Sequence, residues 1–254
     1  MQTKSFSSKT YKTSEVAAIV GIHPNTVRLY EELKLIPKPE RLPNGYRVFT
    51  DLHIEQCRLI RTAFRVEVLQ NGLRKKIVKV IKLSAAGDFD AALTLTEEYK
   101  KQLRQEQINA ENAIIIVKQL LSDETVTETR RLTRKEASDA LGVSVDSLRN
   151  WEKNGLLSVK RKESGYRVYT DEDVRRLKVI RALRCANYSL EAILRLLRQL
   201  SENPDVDVRT TLNTPQPSDD IISVCDRLIA SLSVAQKNAC KVSDMLRNMK
   251  ARFI

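Results

Sequence analysis

The chain repeats itself, and this duplication limits what it can fold into more than any other feature. Residues 16–36 read VAAIVGIHPNTVRLYEELKLI, and residues 137–157 read ASDALGVSVDSLRNWEKNGLL. At an offset of 121, Gly21 matches Gly142, Arg28 matches Arg149, Tyr30 matches Trp151 and Glu31 matches Glu152. NGYRVFTD at 44–51 then matches SGYRVYTD at 164–171 at an offset of 120. Self-similarity of this kind is the signature of a repeated structural unit. A chain of 254 residues has room for two small domains.

Each copy parses alike. A first helix, about 14–20 and 135–141, carries Val16, Ile19 and Val20, or Ala137, Ala140 and Leu141, on one face. Gly21 and Gly142 break it, where a residue without Cβ permits a sharp turn. A second helix follows. Ser144 is a good N-cap for it; in the first copy His23 takes that place and Pro24 sits at the first helical position. Two short helices around a glycine turn form the helix-turn-helix pattern. Short extended pieces then meet at Asn44-Gly45 or Ser164-Gly165, a tight hairpin signal. The hairpin carries Lys38, Arg41 and Arg47 in copy one and Lys160, Arg161, Lys162 and Arg167 in copy two. A basic wing beside a helix-turn-helix is a second grip on a phosphate backbone.

A third helix starts at Thr50 or Thr170, where Thr170 and Asp173 approximate a capping box. Its apolar stripe is Ile54, Cys57, Ile60 and Phe64, against Val174, Leu177, Ile180 and Leu183. A fourth helix is expected at about 72–82 and 189–200. A long helix then follows each unit. Over 99–121 the seam is Tyr99, Leu103, Gln107, Ala110, Ile114, Val117 and Leu121. Over 221–249 it is Cys225, Leu228, Leu232, Ala235, Ala239, Val242, Leu246 and Met249, stepping three and four residues as a coiled-coil seam does.

The fold class is therefore mainly α: two winged helix-turn-helix domains, each followed by a long coiled-coil helix. The expected layout is a first winged domain over 1–82, a first coiled-coil region over 83–121 and a linker over 122–130. A second winged domain over 131–200, a linker over 201–220 and a second coiled-coil helix over 221–254 complete it. Within the second linker, the Pro-containing stretch 203–220 is expected to be the least ordered.

Charge follows the repeat. Residues 11–82 carry 14 Lys/Arg against 7 Asp/Glu, and residues 130–198 carry 17 against 9, whereas the remainder is net negative. Two separated basic blocks are the electrostatic footprint of a polyanion binder. No apolar run can span a membrane, and MQTKSFSSKTYK lacks the apolar core of a secretory signal, so a cytoplasmic location is expected. No Gly-rich phosphate loop, nucleophile elbow or metal-ligand cluster stands out, and only two histidines are present. The chain reads as no enzyme and as needing no cofactor.

TVRLYEELKLIP with NGYRVFT, and SLRNWEKNGLL with SGYRVYT, resemble the MerR family of bacterial regulators. The resemblance covers both units, about 140 residues, and the helices after them. It implies a winged helix-turn-helix joined to a long helix, homodimers built by antiparallel pairing of that helix, and two half-sites on double-stranded DNA. Regulation would come through bending and untwisting a promoter read by RNA polymerase. The resemblance directs Asn25, Thr26, Arg28 and Leu29, and Asp146, Ser147, Arg149 and Asn150, to the major groove. It gives Tyr30 and Trp151 either core packing or backbone contact. It puts Tyr46, Arg47, Tyr166 and Arg167 at phosphates. The chain departs from the family pattern by carrying two units, no separate effector domain and no metal-sensing cysteine arrangement. The short stretch from Leu121 to Leu132 leads the chain directly into the second unit, so one chain is expected to act as a pseudo-dimer through an intramolecular antiparallel coiled coil. An architectural DNA binder or a recombination accessory protein would use the same fold.

The four cysteines lack zinc-site spacing. Cys57 and Cys225 fall on apolar stripes, and Cys185 and Cys240 near helix ends. Cys225 and Cys240, about four turns apart along the second seam, are too distant for one metal to bridge. Changing all four to Ser is expected to leave DNA affinity within a few-fold of the parent. Tight stoichiometric zinc or copper binding by the parent, lost in that variant, would show a metal site instead.

Overall fold

A computed structural model describes residues 9–65, 72–122, 131–159, 167–214 and 227–254. Among these, the first half of the chain holds α1 (Thr13–Val20), α2 (Pro24–Glu32), β1 (Glu40–Arg41), β2 (Arg47–Val48), α3 (Asp51–Ala63) and α4 (Leu73–Ala85). The long helix α5 (Phe89–Ser122) follows. The second half holds α6 (Arg134–Leu141), α7 (Val145–Lys153), α8 (Asp171–Cys185), α9 (Leu190–Glu202), α10 (Val208–Asn213) and α11 (Leu228–Phe253). Two compact units result: Met1–Arg104 with Ser233–Ile254, and Gln105–Leu232. The divisions thus fall inside the two long helices rather than at their ends.

In unit 1, α1 buries Val16, Ala17 and Val20. Ile19, expected on that face, is 44% exposed. At 100° per residue, positions 16, 17 and 20 share a face from which position 19 is turned about a quarter-circle. The matching Ala140 of α6 is exposed as well, and Ser138 takes the buried place. Gly21 ends α1 at a φ of 71° and Gly142 ends α6 at 58°. Both close their helix by donating to carbonyls of its last turn, as a left-handed C-cap does.

The caps read from sequence are present. The His23 Nδ1 accepts from the Asn25 N–H at 3.2 Å, and Ser144 Oγ from the Ser147 N–H at 3.0 Å. Thr170 and Asp173 form a reciprocal capping box, with the Thr170 N–H donating to Asp173 Oδ2 at 2.9 Å. In unit 1 the corresponding acceptor is a histidine: the Thr50 N–H donates to His53 Nδ1 at 3.0 Å. His53 is buried, with its ring edge-on to Phe49 at 5.3 Å between centroids.

The predicted stripe of α3 is buried except at its end, where Phe64 is half-exposed; Leu59 and Gln56 join it inside. Gln56 donates to the carbonyls of Leu35 and Ile81, both at 2.9 Å, and accepts from Ser84 Oγ at 2.8 Å. In unit 2 the matching residue is Arg176, whose Nε donates to the Leu156 carbonyl at 2.8 Å. The same backbone acceptor after the second helix is therefore satisfied by different chemistry in each copy.

Beyond the winged units the structure differs from expectation in three ways. The buried seam of α5 starts ten residues early, at Phe89, and runs through Ala92, Thr96, Tyr99, Leu103, Glu106, Ala110, Ala113, Ile114 and Val117, while Leu121 is half-buried. Gly87 and Asp88 end α4 and start α5 within two residues, the Asp88 carboxylate accepting from the Ala91 N–H at 3.0 Å. Glu106 is the buried residue where Gln107 was expected, because it meets Asn187 Nδ2 at 3.3 Å in unit 2. Second, the stretch 203–220 contains α10, whose Val208 and Leu212 are buried; residues 215–220 lie outside the described part. Third, Cys240 lies in mid-α11 and is exposed, beside the seam rather than on it or at a helix end. The remaining α11 seam, Leu228 to Met249, is buried throughout, while Cys225 lies outside the described residues.

Within unit 1, α11 lies along the first part of α5 in the opposite sense: Lys250 Nζ meets Asp90 Oδ1 at 2.5 Å, and Ser243 Oγ donates to Glu97 Oε1 at 3.4 Å. Within unit 2, the Tyr188 hydroxyl donates to the Ala110 carbonyl at 3.3 Å, and the Ile229 N–H to Asn213 Oδ1 at 3.1 Å. No helix among the described residues is long and apolar enough to cross a membrane.

Burial lowers the His53 pKa below its ordinary 6.5, against the opposing pull of the Pro37 carbonyl and the Glu31 charge. The unfolded chain then binds a proton before the folded one does, so the stability that neutral His53 provides is complete above pH 6.5 and falls as the pH drops below it. His53→Gln keeps a side chain able to complete the cap. Calorimetric unfolding of unit 1 is expected to weaken between pH 6.5 and 5 in the parent and much less in the variant; identical pH profiles would contradict the assignment.

Candidate nucleic-acid interface

Each head presents a second helix whose outer face is open. On α2, Asn25 and Arg28 are exposed, Leu29 is 47% exposed, and Thr26 is half-buried. Arg28 Nη1 donates to Asn25 Oδ1 at 3.0 Å, one turn back. Tyr30 turns away from this face and is half-buried. On α7, Asp146, Arg149 and Asn150 are exposed. Ser147 is half-buried, with its hydroxyl 2.9 Å from that of the cap residue Ser144. Arg149 Nη1 meets Asp146 Oδ1 at 2.8 Å. Trp151 is only 7% exposed.

The wing of unit 1 is the two-stranded ladder β1–β2, with Glu40 opposite Val48 and Arg41 opposite Arg47. Gly45 turns it at a φ of 81°, and the Tyr46 N–H donates to Asn44 Oδ1 at 3.2 Å. Tyr46 projects with 70% exposure, and Lys38 is exposed at the wing base. In unit 2 the expected wing residues Lys160, Arg161, Lys162 and Tyr166 lie outside the described part, while Arg167 is described.

A residue pair whose role periodicity does not reveal ties helix to wing. Glu31, in the last turn of α2, receives Arg47 Nε in a short ion pair and Arg41 Nη2 at 3.4 Å. Glu152, its repeat partner on α7, receives Arg167 Nε at 2.6 Å, both carboxylate oxygens bridged to Arg134 Nη2 at 2.9 and 3.0 Å, and the Tyr169 hydroxyl at 2.6 Å. Burial pushes the Glu152 carboxyl up, but Tyr169, Arg134 and Arg167 outweigh it and hold the group below the usual carboxylate range. The matching Glu in both copies was the available signal; what it binds depends on residues up to 18 positions away. Arg41, Arg47 and Arg167, expected at phosphates, are thus already oriented by a carboxylate, with part of each guanidinium surface still open.

The geometry defines a tandem winged helix-turn-helix protein, with one open second helix per unit. A family model described as MerR family regulatory protein matches residues 12–49, and one described as MerR HTH family regulatory protein matches residues 132–200. One such match falls in each half, so the chain carries two MerR-type helix-turn-helix regions. It is 45% identical over 53 residues to the HTH-type transcriptional regulator CueR of Yersinia pestis, covering 21% of this chain and 38% of CueR. It is 32% identical over 121 residues to the nodulation protein NolA of a Bradyrhizobium strain, covering 47% of this chain and 44% of NolA. These matches span less than half the length of either relative. A solved structure of HiNmlR, a MerR family regulator lacking the sensor domain, bound to promoter DNA, is 26% identical and covers 47% of this chain and 78% of that one, at a TM-score of 0.28.

Glu152→Gln keeps the side-chain shape and removes the charge that collects two guanidinium groups. The variant is expected to lower the stability of unit 2 by about 1–3 kcal/mol. Trp151, the one tryptophan of the chain, reports that unit by fluorescence during denaturant unfolding. An unchanged midpoint would show that the carboxylate does not stabilise unit 2.

Proposed function

We propose that the chain is a sequence-specific, DNA-binding transcription regulator whose two unlike heads read two half-sites from one polypeptide. The observation that carries this reading is the presence of two open second helices in one chain, each with a last-turn glutamate that holds the arginine of its GYR sequence, Arg47 or Arg167. Exposed Asn25 and Arg28 suit adenine edges and guanine or phosphate contacts. On the second head, Asp146 suits a cytosine amino group and disfavours close phosphate. Unlike heads make unlike half-sites, whereas the identical heads of a homodimer read an inverted repeat.

Pairing of α5 with α11 inside one chain would replace the pairing of two chains. Support comes from the antiparallel contacts of Lys250 and Ser243 with Asp90 and Glu97 in unit 1, and from the buried seams of both helices. A short connection also gives an intramolecular partner an effective concentration of order millimolar. Bound to a promoter, such a molecule would bend and untwist the DNA between its half-sites, changing how RNA polymerase engages it.

Selection of bound duplexes from a random pool, with the mass of the complex measured by light scattering, tests the reading. Two half-sites of different sequence occupied by one 29.0 kDa chain are expected. Arg28→Ala should cost about 1–3 kcal/mol at one half-site and leave the other unchanged. A perfect palindrome occupied by two chains would refute the single-chain arrangement.

A further inference from the structure

We propose that unit 1 carries a binding site for a small amphipathic organic anion, an aromatic or aliphatic body bearing a carboxylate, sulfonate or phosphate. The site is a cavity of about 740 Å³ between the α1–α2 turn, the end of α3 and α11. That volume lies in the range of small-molecule pockets, about 300–1,000 Å³. Three features of its lining point to this ligand class.

The first is an orphaned donor. Asn238 is 6% exposed, yet among the described residues its side-chain nitrogen meets no hydrogen-bond acceptor. Buried donors are almost always satisfied, and leaving one unpaired is costly. Asn238 lies one position before Ala239 of the α11 seam, at the edge of the apolar stripe, and it lines the cavity. An acceptor on a bound molecule would complete it.

The second is the apolar floor. Ile19, turned out of the α1 core and 44% exposed, lies here with Ile22 and Phe64. The third is a pair of uncommitted cations. Arg58 is held by Glu55 at 2.8 Å and Arg61 by the Val20 carbonyl. Arg65 and Lys241, both exposed, have no carboxylate within ion-pair distance among the described residues. Free cations alone would suit any phosphate. Combined with apolar side chains and a buried amide donor, they suit a molecule with an apolar body and one anionic end.

The duplication supplies an internal control. At the positions of Ile19, Phe64 and Arg65 the second head has Ala140, Arg184 and Cys185, so it lacks the isoleucine and phenylalanine of the apolar floor and has no cation at the Arg65 position. The site thus belongs to one head only, and it does not depend on whether either head binds DNA.

The test uses the full chain and the aryl sulfonate 8-anilinonaphthalene-1-sulfonate, read by its fluorescence and by the methyl resonances of Ile19 and Ile22. One saturable site per chain is expected, with both methyl signals moving. The surface variant Arg65→Gln/Lys241→Gln should weaken binding at least tenfold with an unchanged unfolding profile, and Ile19→Gln should weaken it too. Arg184→Gln should leave it unchanged. Non-saturable binding, full affinity in the double variant, or still methyl signals would overturn the proposal. Inorganic phosphate displacing the probe at equal concentration would overturn it as well, because the cations alone would then account for the binding.

Discussion

A carboxylate in the last turn of each second helix holds the outer surface of each head in register. Glu31 collects Arg47 across the gap between helix and wing in unit 1, and Glu152 collects the matching Arg167 in unit 2. Without that charge the arginines would repel one another and the wing would have little to hold it, since β1 and β2 are two residues each. The pairs are mostly shielded, with the glutamates 13% and 11% exposed, so their attraction is stronger than that of a surface pair. The remaining open edge of each guanidinium is presented in a fixed direction. Orientation of this kind reduces the side-chain entropy lost when such a group meets a phosphate.

The two heads keep one backbone and solve its local problems differently. The carbonyl of Leu35 is satisfied by a neutral amide and that of Leu156 by a guanidinium. The third helix is capped by His53 in one unit and by Asp173 in the other. These substitutions preserve the hydrogen bond while changing charge and pH response. Unit 1 gains a titratable cap; unit 2 has three carboxylates in the first turn of α8, where the helix dipole favours them, against Asp51 alone in α3. The exposed faces diverge in the same way, Asn25 standing beside Arg28 and Asp146 beside Arg149. A duplicated unit can drift on its surface wherever the backbone acceptor or donor remains paired.

Much of the architecture is legible because it depends on local rules. Gly21 and Gly142 mark left-handed caps, Ser144 and Thr170 mark helix starts, and the 3-4 spacing of Leu228 to Met249 marks a buried seam. What local rules miss is where one face ends. Ile19 is as apolar as Val16 but points elsewhere, and Thr96 and Glu106 are polar yet buried because α5 continues its seam through them. α10 was hidden among Pro, Asp and Thr, since six residues show too little periodicity to register.

The sequence by itself determined the duplication, the helix-turn-helix and hairpin order within each copy, the basic character of both heads and the two seams. These follow from glycine conformation, capping chemistry and side-chain period, all of which act over a few residues. Only the tertiary structure decided which charges are spent and which remain open. Glu31, Glu152, Gln56 and Arg176 find their partners 10 to 28 positions away, and the Asn238 side-chain nitrogen finds none among the described residues. Those outcomes depend on the packing of elements remote in the chain, because burial sets both the strength of an ion pair and the cost of an unpaired donor.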